Sequence, residues 1–141
     1  MINDGMFSSE SGEWETPDDL FDYWNRIFTF TVDVCASAEN AKLSVYFDKE
    51  IDGLTQDWSN QRCWMNPPYG RPIKEWIRKA HEEAGRGATV VCLLPARTDT
   101  RWWQEYVTKA DMIKFLPGRV KFKGGSSSAP FPSAIVVFLP R

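Results

Sequence analysis

Along the 141 residues of this chain, apolar and polar positions change their spacing several times, and each change marks an element. Thr16-Pro17-Asp18-Asp19 has the residue types of a helix start: Thr as N-cap, Pro in the first turn, and acids favoured by the helix dipole. Leu20, Trp24 and Ile27, flanked by Phe21 and Phe28, supply the apolar face of that helix. A β-rich run follows at 30–35 and ends in Ala36-Ser37. A short helix is expected around 39–45, while the acidic stretch 48–60 fits no period. Residues 62–65 form a short strand that delivers Asn66-Pro67-Pro68-Tyr69 to its carboxyl end. Pro72 opens a second helix with Ile73, Trp76, Ile77, Ala80 and Ala84 on one face, and Gly85 and Gly87 stop it. Residues 88–94 are continuously apolar, as in a central strand buried on both faces. Thr98 or Asp99 caps a third helix carrying Trp102, Trp103, Tyr106 and Val107; the two adjacent Trp residues cannot both face the core. A strand at 112–116 leads through Gly118 into a Gly/Ser loop at 124–128, and 133–139 is the last strand. No internal repeat is present.

Strands alternating with amphipathic helices, then two strands close together, imply an α/β protein with a mostly parallel sheet whose final pair is antiparallel. Sheets of this kind bind ligands at the carboxyl ends of their strands. The segments 33–36 and 66–69 both fall at expected strand ends, so they are expected to line one cleft. The polar, Gly/Ser-rich residues 1–12 read as a flexible N-terminal segment, and 13–141 as a single domain.

The seven Trp residues suggest aromatic surface available for stacking as well as core. The apolar runs are strand-length, which excludes a membrane span, and the first residues lack a signal-peptide pattern. Cys35, Cys63 and Cys92 are odd in number, far apart and each in an apolar segment. They read as free thiols of a cytoplasmic protein, with no zinc spacing. The net charge of −2 speaks against a nucleic-acid partner until the chain is divided. Residues 1–60 hold three Lys/Arg against thirteen Asp/Glu, whereas 61–141 hold fourteen against six. Such asymmetry marks one half for an anionic partner, unless the halves mix on the folded surface.

Asn66-Pro67-Pro68-Tyr69 carries the chemistry. The Asn oxygen and a main-chain carbonyl both accept from an exocyclic NH2, proline holds those carbonyls in place, and the aromatic ring offers a platform to a flat base. Two acceptors pulling on the amino hydrogens localise a lone pair otherwise delocalised into the ring. The arrangement suits methyl transfer to the amino nitrogen of adenine, by electrostatic positioning rather than by a tuned base. Asp33 is an acid inside an apolar run and needs a partner, either a cofactor amine or a network of structural donors. Arg97, Arg101, Arg119, Lys121 and Lys123 flank strand ends and either meet phosphates or form a solvated face. His81, beside Glu82 and Glu83 and opposite the apolar face of its helix, is expected to be a solvated surface residue.

Taken in order, Glu15-Thr16-Pro17, the strand ending at Asp33, and Asn66-Pro67-Pro68-Tyr69 resemble the S-adenosylmethionine-dependent amino methyltransferases. With Gly53-Leu54, Gln56-Asp57-Trp58, the stretch 94–100, Gly118-Arg119-Val120-Lys121-Phe122 and Ala129-Pro130-Phe131-Pro132-Ser133, the chain resembles more narrowly the phage and prophage DNA N-6-adenine-methyltransferase (Dam) family. The resemblance runs from Trp14 through Leu139. It implies a compact Rossmann-like methyltransferase fold with an antiparallel C-terminal strand, S-adenosylmethionine as cofactor, and DNA as substrate, either duplex with a flipped adenine or single-stranded. No metal and no membrane are implied, and the compartment is the cytoplasm of a bacterial host. Thr16 and Pro17, with Trp14 beside them, match the segment that touches the methionine part of the cofactor. Asp33 and Ala36 match the turn where its amino-acid end rests, and Asp57 the position that binds its adenine amino group. Asn66 and the Pro67 carbonyl grip the target amine, with Pro68 completing the turn and Tyr69 stacking on the base; Asn66 also borders the cofactor. The glycines usual after the first strand are missing from Cys35-Ala36-Ser37-Ala38. The ribose partner stays open among Asp48, Glu50 and Asp52. So short a chain implies short or relaxed sequence specificity, read by loops 97–103 and 118–130. Two other readings share these residues: an amino methyltransferase acting on RNA or a protein glutamine, and a non-catalytic nucleic-acid-binding relative.

Overall fold

The computed structural model describes residues 14–124 and 128–141. The flexible segment expected at 1–12 and the middle of the Gly/Ser loop lie outside the described residues. Five strands form one sheet: β1 (Val32–Asp33), β2 (Arg62–Met65), β3 (Thr89–Pro95), β4 (Met112–Phe115) and β5 (Ser133–Phe138), in the order β1-β2-β3-β5-β4. The pairs β1–β2 and β2–β3 are parallel, while β5 runs antiparallel to both β3 and β4. It follows that β1, β2, β3 and β4 all point the same way. The loops after them, and the one before β5, gather at one edge of the sheet.

Among the described residues three helices accompany the sheet: α1 (Asp18–Phe28), α2 (Ile73–Ala84) and α3 (Arg101–Glu105). The apolar face read for α2 is buried at every position named, from Ile73 through Ala84. The continuous apolar run became β3, third of five strands and buried from Val90 onward. Trp103 is buried and Trp102 only half so, as adjacent positions on one helix require.

Several expectations are corrected. In α1 the core side chains are Phe21 and Trp24, while Ile27 is 55% exposed. Phe21 and Trp24 lie three apart and meet Trp64 and Phe28 respectively, so the buried stripe is turned by one position from that expected. Thr16 does not cap α1. Pro17 stands at the N-cap in extended backbone with no side-chain cap, its carbonyl accepting from Phe21 N–H at 3.2 Å. The cap of α3 is Thr100, whose Oγ1 accepts from Trp103 N–H at 3.3 Å, rather than Thr98 or Asp99. No helix forms at 39–45. Ser37 and Asn40 instead bond each other's main chain in a turn, the local alternative such side chains offer. His81 is half-buried, its ring 5.5 Å from Tyr106 and 6.0 Å from Phe138, and burial with nearby Arg141 and Lys109 lowers its pKa.

The crossover from β1 to β2 carries only a 3-10 turn, Gly53–Thr55, where parallel strands usually use a helix. Side chains from α2 hold it instead. Trp58 is fully buried; its N–H donates to Glu83 Oε1 at 2.8 Å and its indole Nε1–H to the Gly53 carbonyl at 2.9 Å. Glu83, only 1% exposed, also binds Lys79 at 3.1 Å and Arg86 at 3.0 Å. Lys79 reaches the Gln56 carbonyl at 2.6 Å and lies over the Trp58 ring. Gly53 can be nothing larger, because a Cβ there would stand 2.2 Å from the Val34 carbonyl oxygen.

Candidate active site

A cleft of about 790 Å³ opens at the carboxyl edge of β1 and β2. Its walls are the strap Trp14–Thr16, the turn 35–40 after β1, the crossover residues Asp48, Glu50, Asp52 and Gly53, and Asn66-Pro67-Pro68 after β2. The two strand-end segments therefore meet in one cleft, as their places in the sheet require.

Asp33 lies in this wall with 2% of its surface exposed. Its carboxylate accepts from Lys42 N–H at 3.0 Å and Cys35 N–H at 3.4 Å. Burial outweighs these bonds and raises its pKa from 3.8 to about 6. The turn that follows needs no glycine: among the described non-Gly residues only Thr29, Asp52 and Asn60 have left-handed backbone. Ala36 N–H is taken by the Phe47 carbonyl at 3.0 Å, while Ala36 and its neighbours face the cleft.

Asn66 is held from its nitrogen side. Nδ2 donates to the Trp14 carbonyl and, at 3.0 Å, to Thr16 Oγ1. Because the Trp14 carbonyl only accepts, the amide must present its NH2 there. Asn66 Oδ1 is buried and has no hydrogen-bond partner. An unpaired buried carbonyl costs about 1–3 kcal/mol, a deficit that an arriving N–H donor removes.

Tyr69 stands elsewhere. Its hydroxyl donates to the Leu93 carbonyl at 3.0 Å, and its ring packs edge-on against Phe122 and Phe131. Trp14 meets the same two rings at 5.4 and 5.2 Å, making a four-ring cluster beside the cleft. With 6% exposure, Tyr69 accepts a base only if one of the covering rings gives way. Asp57 also lies outside the cleft, exposed, with its carboxylate turned onto Ser59 N–H at 2.8 Å. The acids that do line the cleft from the crossover are Asp48, Glu50 and Asp52.

Arg97, Arg119 and Lys121 are exposed in the loops after β3 and β4, and Arg101 at the start of α3, on the same sheet edge as the cleft. Arg97 lies 5.6 Å over the Phe131 ring. Lys123 is engaged otherwise, binding Asp18 at 3.2 Å and Glu15 at 3.5 Å while its main chain bridges to Glu15. Asp33, Asp48, Glu50 and Asp52 line the cleft together with Lys42 and Lys49, and Lys123 of the basic half pairs with Glu15 and Asp18 of the acidic half. Two functional features were hidden in the sequence: Thr16 as the partner of Asn66, and Glu83 as the buried anchor of the cleft's crossover wall. Thr16 reads as a helix cap and as part of the cofactor-touching segment, and Glu83 only as a neighbour of His81, so neither of these two roles carried a signal.

Among the described residues no helix is long and apolar enough to cross a membrane, and no group of His, Cys, Asp and Glu is arranged to hold a metal ion.

The chain shares sequence with known proteins. Residues 6–139 match the family model of the DNA N-6-adenine-methyltransferase (Dam). The chain is 30% identical over 149 residues to a DNA N-6-adenine-methyltransferase of Haemophilus phage HP1 (strain HP1c1), covering 100% of this chain and 86% of that one. It is 33% identical over 94 residues to a DNA N-6-adenine-methyltransferase of Escherichia phage T1, covering 65% of this chain and 39% of that one. A putative methyltransferase, YfdM, of Escherichia coli (strain K12) is 34% identical over 64 residues, 40% of this chain and 70% of that protein. On a match that spans nearly its whole length, this chain belongs to the DNA N-6-adenine-methyltransferase (Dam) family.

Proposed function

We propose that this protein methylates the N6 amino group of adenine in DNA, using S-adenosylmethionine held in the cleft within a Rossmann-like fold. The observation that carries the reading is Asn66 Oδ1, a buried acceptor left without a donor beside Pro67 and Pro68. An adenine NH2 is the donor it lacks.

The cleft's residues fit the cofactor. Its volume is in the range of small-molecule sites, a buried carboxylate is part of its lining, and acids line the crossover wall. Asp33 would hold the cofactor's ammonium, and Asp48, Glu50 or Asp52 its ribose hydroxyls. S-adenosylmethionine supplies, when bound, a methyl on a sulfonium whose sulfur keeps the bonding pair as a neutral thioether. The chain's own work is positional. Asn66 Oδ1 and the Pro67 carbonyl accept the two amino hydrogens, so the nitrogen lone pair turns out of the ring and toward the methyl. One amino proton is then lost to water. Adenine reaches the site by leaving its stack, at a few kcal/mol, and stacking on Tyr69 would return roughly 1–3 kcal/mol once Phe122 or Phe131 has moved aside. Arg97, Arg101, Arg119 and Lys121 would meet the backbone phosphates. Loops 97–103 and 118–130 would read the DNA, with short or relaxed specificity.

The test is transfer of labelled methyl from S-adenosylmethionine to unmethylated duplex DNA, with RNA and protein offered in parallel. N6-methyladenine in the DNA digest is the expected product. Label only on RNA or on glutamine would replace this substrate with another, and absence of cofactor binding would overturn the reading. Digestion with methylation-sensitive nucleases of several specificities should show modification at many sites rather than one long site.

The Asp33 carboxyl gives a pH dependence. Its charged form attracts the cofactor's ammonium, which stays protonated below about pH 7.7. Cofactor affinity should therefore hold above pH 6 and weaken as pH falls through about 6. For the free protein the sign is opposite. The folded carboxyl binds its proton more tightly than the unfolded one, so its stabilising contribution is complete below 3.8 and lost as pH rises through about 6. Calorimetric titration between pH 5 and 7 should show the inflection, and Asp33→Asn should flatten it. A flat wild-type profile would remove Asp33 from the cofactor's ammonium.

A further inference from the structure

We propose that Thr16 is a positioning residue for the methyl transfer: with the Trp14 carbonyl, its hydroxyl fixes the Asn66 amide so that Oδ1 is the atom left to grip the target amine. The inference rests on the gripping role proposed for Asn66 and assigns the Thr16 hydroxyl to that amide instead of to the cofactor.

Thr16 is 2% exposed, and its hydroxyl stands 3.0 Å from Asn66 Nδ2. Both Nδ2 hydrogens are then used, one on the Trp14 carbonyl and one on Thr16 Oγ1. An amide held by one bond can swing about its last torsion, which is broad for Asn. Held by two, it cannot. A flipped amide would set its oxygen against the Trp14 carbonyl, acceptor against acceptor, so only one orientation survives. Without this hold the unpaired oxygen would turn to any nearby donor or to water. Preorganisation of the acceptor is what separates a grip from a chance hydrogen bond.

The strap that carries these partners is itself tied down. Glu15 bridges to Lys123, with Lys123 N–H donating to the Glu15 carbonyl at 2.9 Å, and the Lys123 ammonium binds Glu15 and Asp18. The Trp14 ring is wedged against Phe122 and Phe131. Thr16 is also freed from the task its type and place suggest, since α1 starts without a side-chain cap.

The experiment compares Thr16→Val, which keeps the shape and removes the acceptor, with Thr16→Ser, which restores the hydroxyl, and with Asn66→Ala. Thr16→Val should lower kcat by about three- to tenfold, the effect of one net hydrogen bond. The cofactor Kd and the KM for DNA should stay unchanged, and Thr16→Ser should recover the rate. A raised cofactor Kd with kcat intact at saturation would hand the hydroxyl to the cofactor and overturn the inference. A fully active Thr16→Val would overturn it too. If Asn66→Ala stays active, the grip itself is wrong; if Asn66→Ala is dead while Thr16→Val keeps the wild-type rate, only the positioning role falls. Should Thr16→Val melt too low to assay, nitrogen-15 NMR of the Asn66 side chain in wild type and Thr16→Ser decides. Slow exchange of both Nδ2 protons supports two held hydrogens, and one fast proton refutes them.

Discussion

Replacing Asn66 with alanine is expected to lower single-turnover methyl transfer to adenine by on the order of 10²–10³-fold, the effect of deleting one preorganised polar partner of a transition state. Asn66 Oδ1 is buried and unpaired in the free protein, so its bond to the amine is made only when substrate arrives. The amide nitrogen bonds Trp14 and Thr16, which makes part of the loss structural, and the comparison with Thr16→Val separates that part. Cofactor Kd should move by less than about threefold, because the interaction removed belongs to the transferring amine. Rapid-quench measurement with labelled cofactor checks both numbers. An unchanged single-turnover rate would take Asn66 out of the chemistry.

Glu83→Ala should be the most damaging change to stability. It leaves Trp58 N–H without its acceptor and Lys79, whose side chain is 13% exposed, without its counter-charge. Breaking one side of a buried pair costs about 3–5 kcal/mol. For a chain of this length that lowers Tm on the order of 10 °C, read by thermal melting in far-UV circular dichroism. Arg86, 66% exposed in its side chain, contributes little to that figure. Glu83→Gln keeps an acceptor for Trp58 and should fall between wild type and alanine. A Tm within about 2 °C of wild type would show that the network is dispensable. Because Trp58 in turn holds the Gly53 carbonyl at the cleft wall, cofactor affinity should fall with stability.

Most of the sheet was legible because its signals are local. The run that became β3 is unbroken, α2 repeats its apolar positions without exception, and Asn66-Pro67-Pro68-Tyr69 stands where a strand meets a helix. What escaped depends on partners far along the chain. Phe21 rather than Ile27 enters the core because Trp64 and Phe30 are there to receive it. Glu83 is buried because Lys79, Arg86 and Trp58 converge on it, a fact its polar type conceals. Thr16 leaves its cap for Asn66, fifty residues away. Asp57 was expected at the cofactor's adenine because the stretch around it resembles the family, whereas its carboxylate is turned onto Ser59 N–H outside the cleft. Tyr69 was read from its motif as an open platform, but Phe122 and Phe131 cover it.

The strap at 14–16 has a consequence for how the enzyme comes into being. Its partners lie 50 and 52 positions downstream at Asn66, and Lys123 reaches Asp18 across 105. Such contacts close long loops and form late, after helices and neighbouring strands have set. A chain still leaving the ribosome holds the strap from the start but nothing yet to fasten it. The grip proposed for the target amine is therefore among the last things to be assembled, and a half-made chain carries the motif without it.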